Sequence, residues 1–115
     1  SQYYPTGTVA SDIVAYVVDD PDTLFKVAVT AAGSATMATV ARTAVGNNSV
    51  LIQTAGSTTT GDSKVSISST TATTATQPVR IIDVVPETAP TSGNYSEVIV
   101  KWNWGMHQYQ NATGV

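Results

Sequence analysis

Apolar and polar residues alternate with a period of two along much of this chain, most clearly near its C-terminal end. In residues 79–85 (VRIIDVV), Val79, Ile81, Asp83 and Val85 fall on one face, and Arg80, Ile82 and Val84 on the other. In residues 95–104 (YSEVIVKWNW), Val98, Val100 and Trp102 alternate with Glu97, Ile99, Lys101 and Asn103. Both stretches predict strands, because β-branched and aromatic side chains suit a pleated surface and lose χ1 freedom in a helix. Pro86, Pro90, Ser92, Gly93 and Asn94 fill the connection with turn residues. The expected result is an antiparallel pair around a long loop, at the centre of a small β-domain.

The upstream pattern adds further strands. Residues 12–18 (DIVAYVV) and 23–30 (TLFKVAVT) predict two, with Phe25, Val27 and Val29 on one face of the second. Asp19-Asp20-Pro21-Asp22 between them predicts a tight hairpin turn, since proline pre-sets φ and aspartate bonds its own backbone. Residues 31–45 mix alanine with Ser and Thr. Met37, Val40, Ala41 and Ala44 would line one helical face, so a short helix or an irregular crossover over one barrel end is expected, with an extended segment as the alternative. Gly46-Asn47-Asn48 predicts a turn and residues 49–54 a strand. Residues 56–62 predict a loop, and residues 64–68 (KVSIS) a short strand with one wet face. The Thr-rich residues 70–77 predict a polar linker of the kind ordered only by a partner.

About six strands spaced by turn signals predict an all-β fold, a small antiparallel β-barrel or sandwich with extended terminal arms. The expected organisation is an N-terminal arm over residues 1–11, a β-domain over 12–104 and a C-terminal tail over 105–115. The predicted core is Ile13, Val17, Phe25, Val27, Leu51, Ile81, Val98, Val100 and Trp102. At 115 residues and 42% hydrophobic, the chain has enough apolar material for one such core. The first residue is Ser1, consistent with processing or with a C-terminal part of a longer product.

Composition narrows the function. Only 11% of residues are charged, against about 25% in ordinary soluble domains. Ser and Thr supply the missing polarity, which suits packing against protein as well as water. With a net charge of −3 and no basic cluster, nucleic-acid binding by phosphate neutralisation has no footprint. No apolar run reaches the roughly 18 residues of a membrane helix. The absence of cysteine removes disulfides and thiolate metal sites.

Candidate chemistry is sparse. Gly61-Asp62-Ser63 has the look of an esterase GDS, and His107 is the sole histidine. A nucleophile elbow, however, needs a strand–turn–helix that Ser63 does not have. Asp83 and Glu87, with Glu97 on the next strand, are read as turn and strand-edge residues rather than a glycosidase pair. The carboxylates of residues 19–22 lack the spacing and glycine of an EF-hand loop. No catalytic residue, metal site or cofactor is therefore expected. Trp102 and Trp104, two apart on one face with Tyr95 nearby, form either a core anchor and its rim or a sugar-stacking platform, and the former is preferred. The Asn-x-Ser/Thr sequons at Asn47, Asn94 and Asn111 are expected by chance in so polar a chain.

The phrases YVVDDPDTLFKV, STTTGDSKVSIS, PVRIIDVVPE and SEVIVKWNWGMHQYQ resemble virion structural proteins of tailed phages that infect marine and freshwater bacteria. The resemblance covers most of the chain after Asp12. Gly61-Asp62-Ser63 matches that group's Gly-x-Ser after a Thr-rich loop, and Asn103 and His107 match the Asn and following His at its last strand. A longer N-terminal part is usual in the group. The resemblance implies a non-enzymatic head component, a decoration or cement protein on the capsid exterior. Its partners would be the major capsid protein and neighbouring copies of itself, giving a homo-oligomer on the particle, with no nucleic acid and no membrane. Partner contacts are expected at Tyr3, Tyr4, Thr58, Thr59, Thr60, Trp104, His107 and Tyr109, within segments 1–8, 57–61 and 108–115 that have too little apolar area to order alone. A carbohydrate-binding or host-attachment module on a virion or cell surface is the alternative.

Overall fold

The computed structural model describes residues 12–85 and 96–103, together with Gly7. The fold is all-β. Six strands, β1 (Leu24–Thr30), β2 (Asn48–Ser49), β3 (Leu51–Gln53), β4 (Val65–Ser68), β5 (Val79–Val84) and β6 (Glu97–Trp102), form one sheet in the order β2-β5-β6-β1-β4-β3. Pairing is antiparallel except between β1 and β4, which run parallel with Val29 opposite Ile67.

The sheet nearly closes on itself, because its two outermost strands are consecutive pieces of one extended segment. Asn48 and Ser49 pair with Arg80 and Val79 of β5, while Leu51–Gln53 pair with β4. Polar groups complete this seam. The backbone N–H groups of Asn48 and Ala72 each donate to the other's carbonyl, at 2.8 and 3.0 Å. The Ser49 hydroxyl donates to the Ser68 carbonyl at 2.8 Å. Closure of this kind removes the unpaired edges of an open sheet.

The interior is filled mainly by β-branched side chains: Val29, Ile67, Val79, Ile81, Val84, Val98 and Val100 are buried, with Val40 and Ala44 joining from the crossover. Each such burial contributes about 1.5–3 kcal/mol. β1 and β6 keep the predicted alternation, with Val27 opposite Val98 and Phe25 opposite Val100. Phe25, Val27, Leu51 and Trp102 are half-buried against the core. Phe25 and Trp102 meet edge-on, with ring centroids 6.1 Å apart.

β5 does not keep one phase. Ile81 lies opposite Val100 and Asp83 opposite Ile99, so Ile82 is an extra residue, a β-bulge. Val79 and Ile81 point inward before it and Val84 after it, while Ile82 is exposed. Asp83 therefore does not share the inner face expected from strict alternation.

Residues 31–45 form the irregular crossover and no α-helix. The Ser96 backbone N–H donates to the Ala38 carbonyl at 3.0 Å, and the Val40 N–H donates to the Ser96 hydroxyl at 3.3 Å. These bonds hold residues 38–40 extended, leaving only a 3-10 turn at Arg42–Ala44. Val40 and Ala44 point into the core, whereas Met37 and Ala41 are exposed. Gly46, at φ +91°, turns the chain from this crossover towards β2, a conformation that side chains with a Cβ rarely adopt.

Two further expectations are corrected. Residues 12–18 are not a strand, and Ile13 and Val17 are not core: they are 49% and 79% exposed. The reason is topological. β1 already has β6 on one edge and β4 on the other, so it has no free edge along its second half to accept a hairpin partner. The Asp20–Thr23 turn does form, with the Thr23 N–H on the Asp20 carbonyl at 3.2 Å. β4 also lacks the expected wet face. Ser66 and Ser68 are buried along with Ile67, and the Ser66 hydroxyl shares a 2.7 Å hydrogen bond with that of Thr30.

Candidate functional site

The residues singled out for partner contact fall into two groups. Tyr3, Tyr4, Trp104, His107 and Tyr109 lie outside the described residues. Thr58, Thr59 and Thr60 are exposed at the tip of the loop between β3 and β4. That loop is ordered by its own bonds. The Gly61 N–H donates to the Ser57 carbonyl at 2.9 Å, the Ser57 N–H to the Asp62 carbonyl at 2.9 Å, and the Thr60 N–H to the Ser57 hydroxyl at 3.2 Å. These bonds brace the segment locally despite its low apolar content. It presents three threonines on a braced turn.

Residues 70–77 are braced in the same way. The Asn48 side-chain amide donates to the Thr74 carbonyl, and that of Asn103 to the carbonyls of Ala75 and Gln77. A buried amide can order polar backbone that has no apolar area of its own.

The candidate acids are committed elsewhere. Asp83 accepts from the Arg42 guanidinium at 3.2 Å and from the Val84 N–H at 2.8 Å. Glu97 pairs with Lys26 at 3.4 Å. Asp22 pairs with Lys101 at 2.8 Å, and the Asp20 carboxylate accepts from the Asp22 N–H at 2.9 Å, a local aspartate turn. Among the described residues no three His, Asp or Glu side chains converge on a common point. The Ser63 hydroxyl faces the Val65 N–H at 3.5 Å, and His107 and Glu87 lie outside the described residues. Of the aromatic set, only Trp102 is described, packed on the core beside Phe25.

Two surface features stand out instead. The first is the run from Ile13 to Val18. Ile13, Val14, Tyr16, Val17 and Val18 are all exposed, Tyr16 at 99%. Carboxylates bracket the run, Asp12 before it and Asp19 and Asp20 after it. Contiguous exposed apolar side chains on a small protein mark an interaction surface.

The second is a groove of about 170 Å³ on the outer side of β1 and β4. Ala28, Ala35, Met37 and Val65 give it apolar walls, with the hydroxyls of Thr30 and Thr54 among them. The small side chains of β1 leave the space, and the Thr30–Met37 bridge folds the crossover over one side of it. Lys64 stands at its edge with φ +53°, an uncommon conformation for a residue with a side chain. Lys26, Arg42 and Lys101 pair with carboxylates, and the Arg80 Nε donates to the Asn48 amide oxygen at 3.0 Å. Lys64 is the one cation whose charged group has no such partner among the described residues.

Sequence reasoning missed the run because it assigned Ile13 and Val17 to the core, and the groove because its residues come from separate segments. The available signal was the bracketing of an apolar run by acids, with Pro21 directly after it. No family model matches the chain, and neither a curated protein nor a solved structure matches it.

Proposed function

We propose that the chain is a non-enzymatic structural binding module of a virion, a decoration or cement protein that sits on the outer surface of a major capsid lattice. The observation that carries this reading is the exposed apolar run of residues 13–18 on a barrel whose own polar seams are satisfied internally. Such a surface gains by covering apolar side chains with another protein. The low charge, the hydroxyl-rich exterior and the braced threonine tip suit close apposition to a protein lattice. The resemblance to tailed-phage head components points the same way. The carbohydrate-binding alternative would draw on Trp102, Trp104 and Tyr95, and the packing of Trp102 onto Phe25 and the core favours the cement reading over it.

The test is binding of the purified full chain to heads of a tailed phage of this kind from which the protein has been removed. The expected result is saturable co-sedimentation at a fixed copy number per particle, with density for the chain on the outer surface in a reconstruction. Unsaturable binding, or none, would overturn the assignment.

A further inference from the structure

The exposed run and the outer groove are complementary, and within one chain the run does not occupy the groove. The groove is apolar with small residues at its base, and its unpaired charge is the ammonium of Lys64. The run is apolar, and Asp12 and Asp19 at its ends make no ion pair among the described residues. Asp62, two residues before Lys64, makes none with it either. The base of the run is fixed on the other side of β1, where Asp22 binds Lys101 of β6. Leu24 lies opposite Lys101, whereas the groove flanks Ala28 and Thr30, roughly 13–20 Å further along at about 3.3 Å per residue. Residues 13–18 stand exposed in the same structure, so they do not cover their own groove.

We infer that residues 12–18 of one copy lie in the outer groove of a second copy, the two exchanging these arms reciprocally. Residues 12–20 span up to about 30 Å when extended, enough to leave one barrel and cross a neighbouring one. In an extended arm Val14, Tyr16 and Val18 share a face. Tyr16 brings the largest apolar surface to the groove and carries a hydroxyl for its polar rim. An acid at the end of the arm then meets Lys64. A reciprocal exchange covers both arms and closes the assembly as a two-fold dimer, whereas a one-way exchange would propagate into a ring or a filament. The inference does not depend on the virion reading, since it concerns the chain in solution.

The test uses the full chain in analytical ultracentrifugation, with Tyr16→Asp and Lys64→Glu as variants. Tyr16 is almost fully exposed and Lys64 is on the surface, so both variants should melt like the parent. The parent is expected to dimerise, with Tyr16→Asp weakening the dimer by roughly tenfold or more and Lys64→Glu weakening it measurably. Because the chain has no cysteine, Val14→Cys and Met37→Cys single variants can be mixed and oxidised. Disulfide-linked pairs should form in the mixture in preference to either variant alone. A parent that stays monomeric at millimolar concentration overturns the inference, even if the chain binds capsids. A dimer indifferent to Tyr16→Asp or to Lys64→Glu overturns it as well. So does a double Val14→Cys/Met37→Cys chain that cross-links only within monomers.

Discussion

Asn48 and Asn103 hold the same loop from opposite sides. The Asn48 Nδ2 donates to the Thr74 carbonyl at 3.0 Å, and the Asn103 Nδ2 donates to the carbonyls of Ala75 and Gln77 at 3.2 and 3.0 Å. Both residues are nearly inaccessible, at 2% and 5% exposure. Asn48 also takes the Arg80 Nε on its amide oxygen, so its side chain links the loop to β5. A stretch made of Thr, Ala and Gln is thereby fixed against the barrel with no apolar side chain larger than alanine.

Replacing Asn103 by Ala should cost about 1–3 kcal/mol, the range for leaving buried polar partners unmet. The same change should make residues 70–77 cleavable by protease before the barrel unfolds. Urea unfolding and limited proteolysis of one sample measure both. Parental protease resistance would mean that the loop is ordered by something other than this amide.

The buried pair Thr30 and Ser66 allows a cleaner experiment. Their hydroxyls lie 2.7 Å apart between the parallel strands β1 and β4. Thr30→Val alone, or Ser66→Ala alone, strands one buried hydroxyl and should destabilise by about 1–3 kcal/mol. The double variant strands neither, so its loss should be smaller than the sum of the two. Additive losses in the double-mutant cycle would show that the hydroxyls do not depend on each other.

Phe25 and Trp102 should be energetically coupled, but each should be less costly to lose than a fully enclosed ring. Both are half-buried and meet edge to face. Truncation of an enclosed aromatic to Ala costs about 3–5 kcal/mol, so a value below that range is expected for either residue. The coupling from a double-mutant cycle should be about 0.5–1.5 kcal/mol. Ile67→Ala, at the fully enclosed centre, should fall within about 2–5 kcal/mol.

Much of this architecture was legible in the pattern of residues. The alternation in β1 and β6 places Val27, Val29, Val98 and Val100 inward, because one face of each strand meets the core and nothing interrupts the pleat. Where the pattern misled, tertiary neighbours decided. Ile13 and Val17 have the composition of a strand, but no local rule reveals that β4 takes the second edge of β1 at Val29 and Thr30. Ser66 and Ser68 look solvent-facing, yet β4 lies between β1 and β3, with the crossover bridging Thr30 to Met37 nearby. Asn48 and Asn103 read as a turn residue and a strand end, since nothing in an asparagine's sequence context shows that its amide will be enclosed. The candidate surface was half visible: the acids around residues 13–18 were plain, and the groove, made of residues from four separate segments, was not.

The bulge in β5 offers a test of register in which removing a residue should be tolerated. Ile81 pairs with Val100, Asp83 with Ile99 and Val84 with Val98, so the pairing on either side of Ile82 is already that of a regular ladder. Deleting Ile82 leaves Ile81 inward, Asp83 outward and Val84 inward, and takes no buried side chain off its face. The exposed Ile82 side chain contributes little core contact. What is lost is the local twist that a bulge adds, which helps a short strand curve around a barrel. The deletion should therefore fold, with a loss of about 1–2 kcal/mol, ordinary for a single change. Because residues 81 and 82 are both isoleucine, deleting either one gives the same chain, with one isoleucine opposite Val100. Deleting Val84 would bring Val85 opposite Val98 and take its N–H off the Glu97 carbonyl, so it should cost more. Urea unfolding of the two deletion variants ranks them. A deletion of Ile82 that fails to fold would show that the bulge's twist is required for the sheet to close.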